Sequence, residues 1–298
     1  MWQQLTQSLQ NGDTRGIARC ISLVENEAGG YEQFMKDLPS SSTPVIGITG
    51  PPGAGKSTLA DALIELLVQQ GKKVAVVCVD PSSPFHSGAI LGDRIRMAAW
   101  YNHPHVFIRS MATRGSLGGL NHKIIEITDI LKACPFDYII IETVGVGQSE
   151  IEIAGLADIT VVVLVPEAGD EIQTMKAGLM EVANIFVVNK ADRPGAGQFV
   201  HNLHAMLQPG TQHGQAAIPV IKTTASAHEG ITELMDAIMN ILKTSITSDK
   251  KYRLLAEKAW QLVIHKKMRY LSKAAIIEQV RIQSAAKDFN LYQFADSL

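Results

Sequence analysis

Seven short runs rich in Val and Ile punctuate the chain, at residues 45–49, 74–79, 106–108, 138–141, 159–165, 185–188 and 219–221. Successive positions are apolar, so both faces of each run call for burial, as in strands of a parallel sheet covered on two sides. Between them lie stretches with helical spacing, at 56–70, 119–133, 171–182 and 231–242. Strand and helix alternating across residues 45–242 predict an α/β fold, a mostly parallel, doubly wound sheet flanked by helices. Right-handed crossovers then put a ligand at the carboxyl ends of the strands.

The two ends read differently. Residues 1–42 form a helical N-terminal extension, with Ile17, Ile21 and Val24 on one helix face, closed by the loop 39–44. Residues 43–245 are the α/β domain, and residues 246–298 are a helical C-terminal segment suited to dimerisation. From 249 to 298 there are ten Lys or Arg and five Asp or Glu, a net +5, so the rest of the chain carries −7 of the total −2. Tyr252, Leu255, Ala259, Leu262 and Val263 make one apolar stripe, which packs back on the core or meets another subunit.

Composition excludes several classes. The 298 residues are 46% hydrophobic and 19% charged, too apolar for a disordered chain. A net charge of −2 argues against nucleic acid as a partner. No apolar run approaches the about 20 residues that span a bilayer, and the start lacks a secretory signal, so no membrane association is expected. Cys20, Cys78 and Cys134 are scattered without Cys-x-x-Cys spacing, which suggests the reducing cytoplasm.

Three motifs carry chemistry. Gly50, Pro51, Pro52, Gly53, Ala54, Gly55, Lys56 and Ser57 match the phosphate-binding loop G-x-x-x-x-G-K-[ST], directly after one predicted strand and before a helix, with Thr58 following. The glycines let successive N–H groups face one anion, and the helix N-terminus adds its positive end. Lys56 is expected to reach the β- and γ-phosphates and Ser57 to ligate Mg²⁺. Asn189-Lys190-Ala191-Asp192 ends another predicted strand and resembles the guanine-recognition motif N-K-x-D of GTPases. One carboxylate, Asp192, can accept both adjacent donors of guanine, which adenine does not offer. Thr224 and Ala225 resemble the short S-A motif that closes over the base, with Ser226-Ala227 as a competing register.

The third motif runs from Tyr138 to Glu150. An apolar strand ends in Glu142, followed by a Gly-containing loop in which Gly145 could hold the γ-phosphate and Gln148 could position the attacking water. Asp80 and Asp93, at and beyond the tip of the second strand, join Ser57 and Glu142 as candidate Mg²⁺ ligands. The catalytic set is thus Lys56, Glu142 and Gln148.

Taken in order, these motifs, with Ile90-Leu-Gly-Asp-Arg94, Ile108-Arg-Ser110, Arg114-Gly-x-Leu-Gly-Gly119, Gly169-Asp-Glu-x-Gln173 and the N-terminal stretch from Ala18 to Asn26, resemble the MeaB/ArgK family of P-loop GTPases over about residues 10 to 245. The resemblance implies a Mg²⁺-dependent GTPase, converting GTP to GDP and phosphate. It also implies a homodimer that chaperones adenosylcobalamin-dependent methylmalonyl-CoA mutase, gating cofactor loading and protecting the enzyme. It further implies a third switch at 166–176, with Asp170 and Lys176 as polar carriers. Two alternatives stand beside this reading. One is a kinase or ATPase linked to amino-acid transport, and the other is a nickel-insertion accessory GTPase using His86, His103, His105 or His122.

Overall fold

Burial with a period of two builds the centre of the molecule. In the second strand, Val74, Val76 and Cys78 enter one apolar cluster while Ala75, Val77 and Val79 enter another, so the strand is buried on both faces. The computed structural model describes residues 1–80, 82–83, 86–89, 97–112, 120–121, 123–143, 149–167, 180, 182–207, 217–244, 249–268, 271–284 and 289–298.

The described strands are β1 (Val45–Thr49), β2 (Val74–Asp80), β3 (Ser82–Ser83), β4 (His86–Ala89), β5 (Val106–Ala112), β6 (Tyr138–Glu142), β7 (Ile159–Leu164), β8 (Ile185–Val188) and β9 (Val220–Lys222). All but β3 and β4 form a seven-stranded sheet in the order β5-β2-β6-β1-β7-β8-β9, and every pairing in it is parallel. β3 and β4 pair with each other, antiparallel. The described helices are α1 (Trp2–Gln10), α2 (Thr14–Glu25), α3 (Tyr31–Asp37), α4 (Lys56–Gln69), α5 (Ile124–Lys132), α6 (Ser149–Leu156), α7 (Ala196–Leu207), α8 (Ile231–Thr244), α9 (Asp249–Met268), α10 (Lys273–Gln283) and α11 (Leu291–Asp296).

Helices cover both sheet faces. Leu59, Leu63 and Leu67 of α4 and Leu234 and Ile238 of α8 share a cluster with Ile46, Ile48, Ile140 and Val161. The opposite face packs Ile127 and Ile130 of α5 and Ile153 of α6 on Val45, Val77 and Ile141. The N-terminal helices join this second cluster through Leu5, Leu9, Ile17, Ile21, Val24 and Phe34, and so form part of its cover. Asp13 caps α2, its side chain accepting from the N–H groups of Arg15 and Gly16. Gly47 is small because α6 crosses β1 closely: a Cβ there would lie 2.6 Å from Ile153 Cγ1.

Two boundaries differ from expectation by more than two residues, for identifiable reasons. The helix expected from residue 119 begins at Ile124, because Leu120 donates its N–H to Glu152 and Asn121 Oδ1 accepts from Lys123 N–H. The strand expected at 106–108 runs on to Ala112. It lies at the sheet edge, where the polar Arg109 finds Glu25 and Ser22 of α2 as partners. The helical stretch expected at 171–182 lies almost wholly outside the described residues.

The chain divides into two compact units, Met1–Leu254 and Leu255–Leu298. The long helix α9 crosses that division. Tyr252, Leu255, Leu262 and Val263 are exposed on it, as are Trp260 and Ile264, so apolar residues extend beyond the expected stripe.

Candidate functional site

Strand register converges the motifs. Ile48 pairs with Glu142, Thr49 with Val162, Leu164 with Val188, and Val188 with Lys222. The carboxyl ends of β1, β6, β7, β8 and β9 therefore emerge in one row. The order β6-β1-β7 places β1 where the chain switches direction across the sheet, the position at which open α/β sheets bind ligands.

The phosphate loop leaves β1 and enters α4. Gly50 has φ +137°, and a Cβ there would stand 2.1 Å from the Val163 carbonyl oxygen of β7. Gly55 has φ +87° and would collide with Asn189 Nδ2 at 2.3 Å. Both positions exclude a side chain through conformation and close approach together. Lys56 Nζ donates to the carbonyls of Gly50, at 2.9 Å, and Pro51, at 3.0 Å, which folds the lysine back around its own loop. The loop thus delivers the anion to the N-terminus of α4, where a helix directs its first N–H groups outward along its axis.

Ser57 and Glu142 meet below the loop. Ser57 Oγ donates to Glu142 Oε1 at 2.6 Å, and both residues are buried. Beside them Thr143 Oγ1 donates to Thr49 Oγ1 at 2.9 Å, a buried brace between the ends of β1 and β6. A hydroxyl and a carboxylate in contact form a hard oxygen pair of the type Mg²⁺ takes. Asp80 ends β2, but its side chain lies outside the described residues, as do Asp93, Gly145, Gln148, Asp170 and Lys176 entirely.

The base motif is tied to the phosphate loop. Asn189 is 3% exposed; its Nδ2 donates to the Ala54 carbonyl at 2.9 Å, and its Oδ1 accepts from Thr223 Oγ1 and from Ala225 N–H, both at 3.1 Å. Lys190, with φ +55°, donates from Nζ to the Gly53 carbonyl at 2.7 Å. Asn189 and Lys190 thus brace one loop on another, while Asp192 stays exposed. Thr224 and Ala225 are buried at the start of a 3₁₀ turn, whereas Ser226 and Ala227 are exposed. Thr223 opens the loop that the sequence singles out with Thr224 and Ala225, but its link to Asn189 leaves no signature there. The same is true of the exposed ion pair between Arg193 and Glu167.

Known proteins resemble this chain along most of its length. The family model for methylmalonyl Co-A mutase-associated GTPase MeaB matches residues 17–279. A relative from Pyrococcus abyssi is 41% identical over 310 aligned positions, covering 100% of this chain and 96% of its own length. The GTPase ArgK of Escherichia coli is 32% identical, covering 95% of this chain and 86% of its own. The mitochondrial methylmalonic aciduria type A homolog of Caenorhabditis elegans is 38% identical over 64% of this chain and 52% of its own. The solved structure of a LAO/AO transport system kinase superposes with a TM-score of 0.69 at 28% identity, over 96% of this chain and 87% of that one. The chain belongs to the MeaB family, and it is a P-loop GTPase that hydrolyses GTP.

Proposed function

We propose that this chain is a Mg²⁺-dependent GTPase chaperone of adenosylcobalamin-dependent methylmalonyl-CoA mutase, working as a cytoplasmic homodimer that gates cofactor loading and protects the mutase. The family match over residues 17–279 carries the reading. The name of the Caenorhabditis elegans relative supports it. The exposed apolar side chains of α9 offer a surface for a second copy, and three buried cysteines outside any disulfide suit a reducing compartment.

In this reading, the loop Gly50 to Thr58 wraps the phosphates, its backbone N–H groups coming from Gly53 onward because Pro51 and Pro52 have none, and Lys56 turns from its loop carbonyls toward the β- and γ-phosphates. Asp192 accepts the two guanine donors, with Thr224 and Ala225 closing over the base. Gly145 donates to the γ-phosphate, and Gln148 orients the water for in-line attack. Ser57 and Glu142, already in contact, would hold Mg²⁺ with Asp80 and Asp93. When bound, the ion supplies charge neutralisation on the phosphate oxygens. Asp170 and Lys176 carry the third switch. The deciding experiment mixes the protein with the mutase and follows phosphate release. Stimulated turnover and an isolable complex are expected; neither appearing would end the chaperone reading while leaving the GTPase intact.

A second reading, a kinase linked to amino-acid transport, is favoured by the solved LAO/AO transport system kinase. Radiolabelled γ-phosphate appearing only in water, and never on protein or amino acid, would remove it.

A further inference from the structure

β7 and β8 run side by side with Leu164 opposite Val188, so residues 165–167 and 189–193 leave the sheet as neighbours. In the second segment Ala191 N–H donates to the Thr223 carbonyl and Arg193 N–H to the Lys190 carbonyl, each at 3.0 Å. This turn leaves Asp192 and Arg193 adjacent and exposed. A guanine would need the whole carboxylate of Asp192, and a neighbouring guanidinium is its strongest competitor, because a bidentate Arg–carboxylate pair uses the same oxygens. Arg193 is instead engaged elsewhere: its Nη1 donates to Glu167 Oε1. The guanidinium holds the Glu167 carboxyl below its ordinary range, and the Lys190 charge adds to this.

We propose that Glu167 is a positioning residue for guanine recognition, holding the Arg193 guanidinium off Asp192 so that the carboxylate stays open to the base. The inference rests on Asp192 reading guanine. It has a sign that simple charge does not share. Glu167 is an anion near a polyphosphate ligand, so its removal should tighten nucleotide binding if only long-range attraction mattered. If Glu167 restrains Arg193, its removal weakens guanine binding.

The test is calorimetric titration of GDP into wild type, Glu167→Gln and the Glu167→Gln/Arg193→Gln double variant, at low and high salt. The single variant should bind GDP about two- to five-fold more weakly at low salt, the range of an exposed ion pair, and the loss should shrink at high salt. The double variant should return to wild type. Inosine diphosphate, which lacks the exocyclic amine and engages Asp192 once, should lose less than GDP. A single variant that binds GDP as well as wild type or better overturns the proposal, as does a double variant that stays weak. Asp192→Asn in the same titration isolates the premise. If it leaves GDP affinity unchanged, the guanine reading fails. If it weakens GDP while Glu167→Gln does not, only the role of Glu167 falls.

Discussion

Asn189 joins the two halves of the nucleotide site, and replacing it tests how that site is assembled. In Asn189→Ala the Ala54 carbonyl and the Ala225 N–H lose their partner inside the protein, where both residues are 3% exposed or less. An orphaned buried polar group costs about 1–3 kcal/mol, and the Thr223 hydroxyl can rotate to a new acceptor, so the total is about 2–5 kcal/mol. Against the about 5–15 kcal/mol of a typical domain this is a large fraction. It corresponds to a fall in Tm of about 5–15 °C for a domain of this size. Urea unfolding of the nucleotide-free protein measures it. Asn189→Asp sharpens the test. It keeps the acceptor for Thr223 and Ala225 but replaces the donor to Ala54 with a carboxylate oxygen facing a carbonyl. That variant should be at least as unstable as Asn189→Ala at neutral pH and should recover on acidification, when the protonated acid can donate again. Wild-type stability of both variants at neutral pH would refute the bracing role.

Other consequences follow from single contacts. Glu142→Gln removes the charge beneath Ser57 and should lower GTP turnover about 10- to 100-fold at limiting Mg²⁺, with partial recovery at high Mg²⁺. Ile21→Ala should destabilise the whole fold by about 2–5 kcal/mol, because this fully buried side chain of α2 belongs to the core of the sheet; denaturation of only a minor N-terminal fraction would contradict that. Burial pushes the thiols of Cys20 and Cys134 up to about 12. They should resist a thiol reagent at pH 8 until the chain unfolds. The sign of the linkage follows: a thiol pKa raised by folding contributes stability that is complete below the unfolded value of about 8.5 and is lost as pH climbs toward 12, so urea midpoints should fall above pH 9.

The sheet was legible because its strands are apolar on both faces, a pattern that survives without knowing what lies opposite. The phosphate loop was equally legible, since Gly50 and Gly55 occupy positions where backbone conformation and neighbours leave no room for a Cβ. Polarity hid the end of β5: Arg109 looks wrong for a buried strand until α2 supplies Glu25 at the sheet edge. The bracing role of Asn189 was hidden for a different reason. Its motif named it, but its partners Ala54 and Thr223 stand 135 and 34 residues away, and only the order of β1, β7, β8 and β9 brings them together. The pair Thr49–Thr143 and the pair Glu167–Arg193 share that origin, because contacts set by strand register leave no spacing in the sequence. The apolar residues of α9 show the opposite case, a stripe visible in the sequence that is exposed in the structure.

The most direct measurement is phosphate release from GTP and from ATP, compared for wild type and Asp192→Asn. Two charge-assisted hydrogen bonds to guanine are together worth about 3 kcal/mol, roughly a hundredfold preference for GTP in kcat/KM. Wild type should show that preference, and Asp192→Asn should lose most of it while retaining ATP turnover. Equal use of GTP and ATP by the wild-type protein would contradict a site read through Asp192.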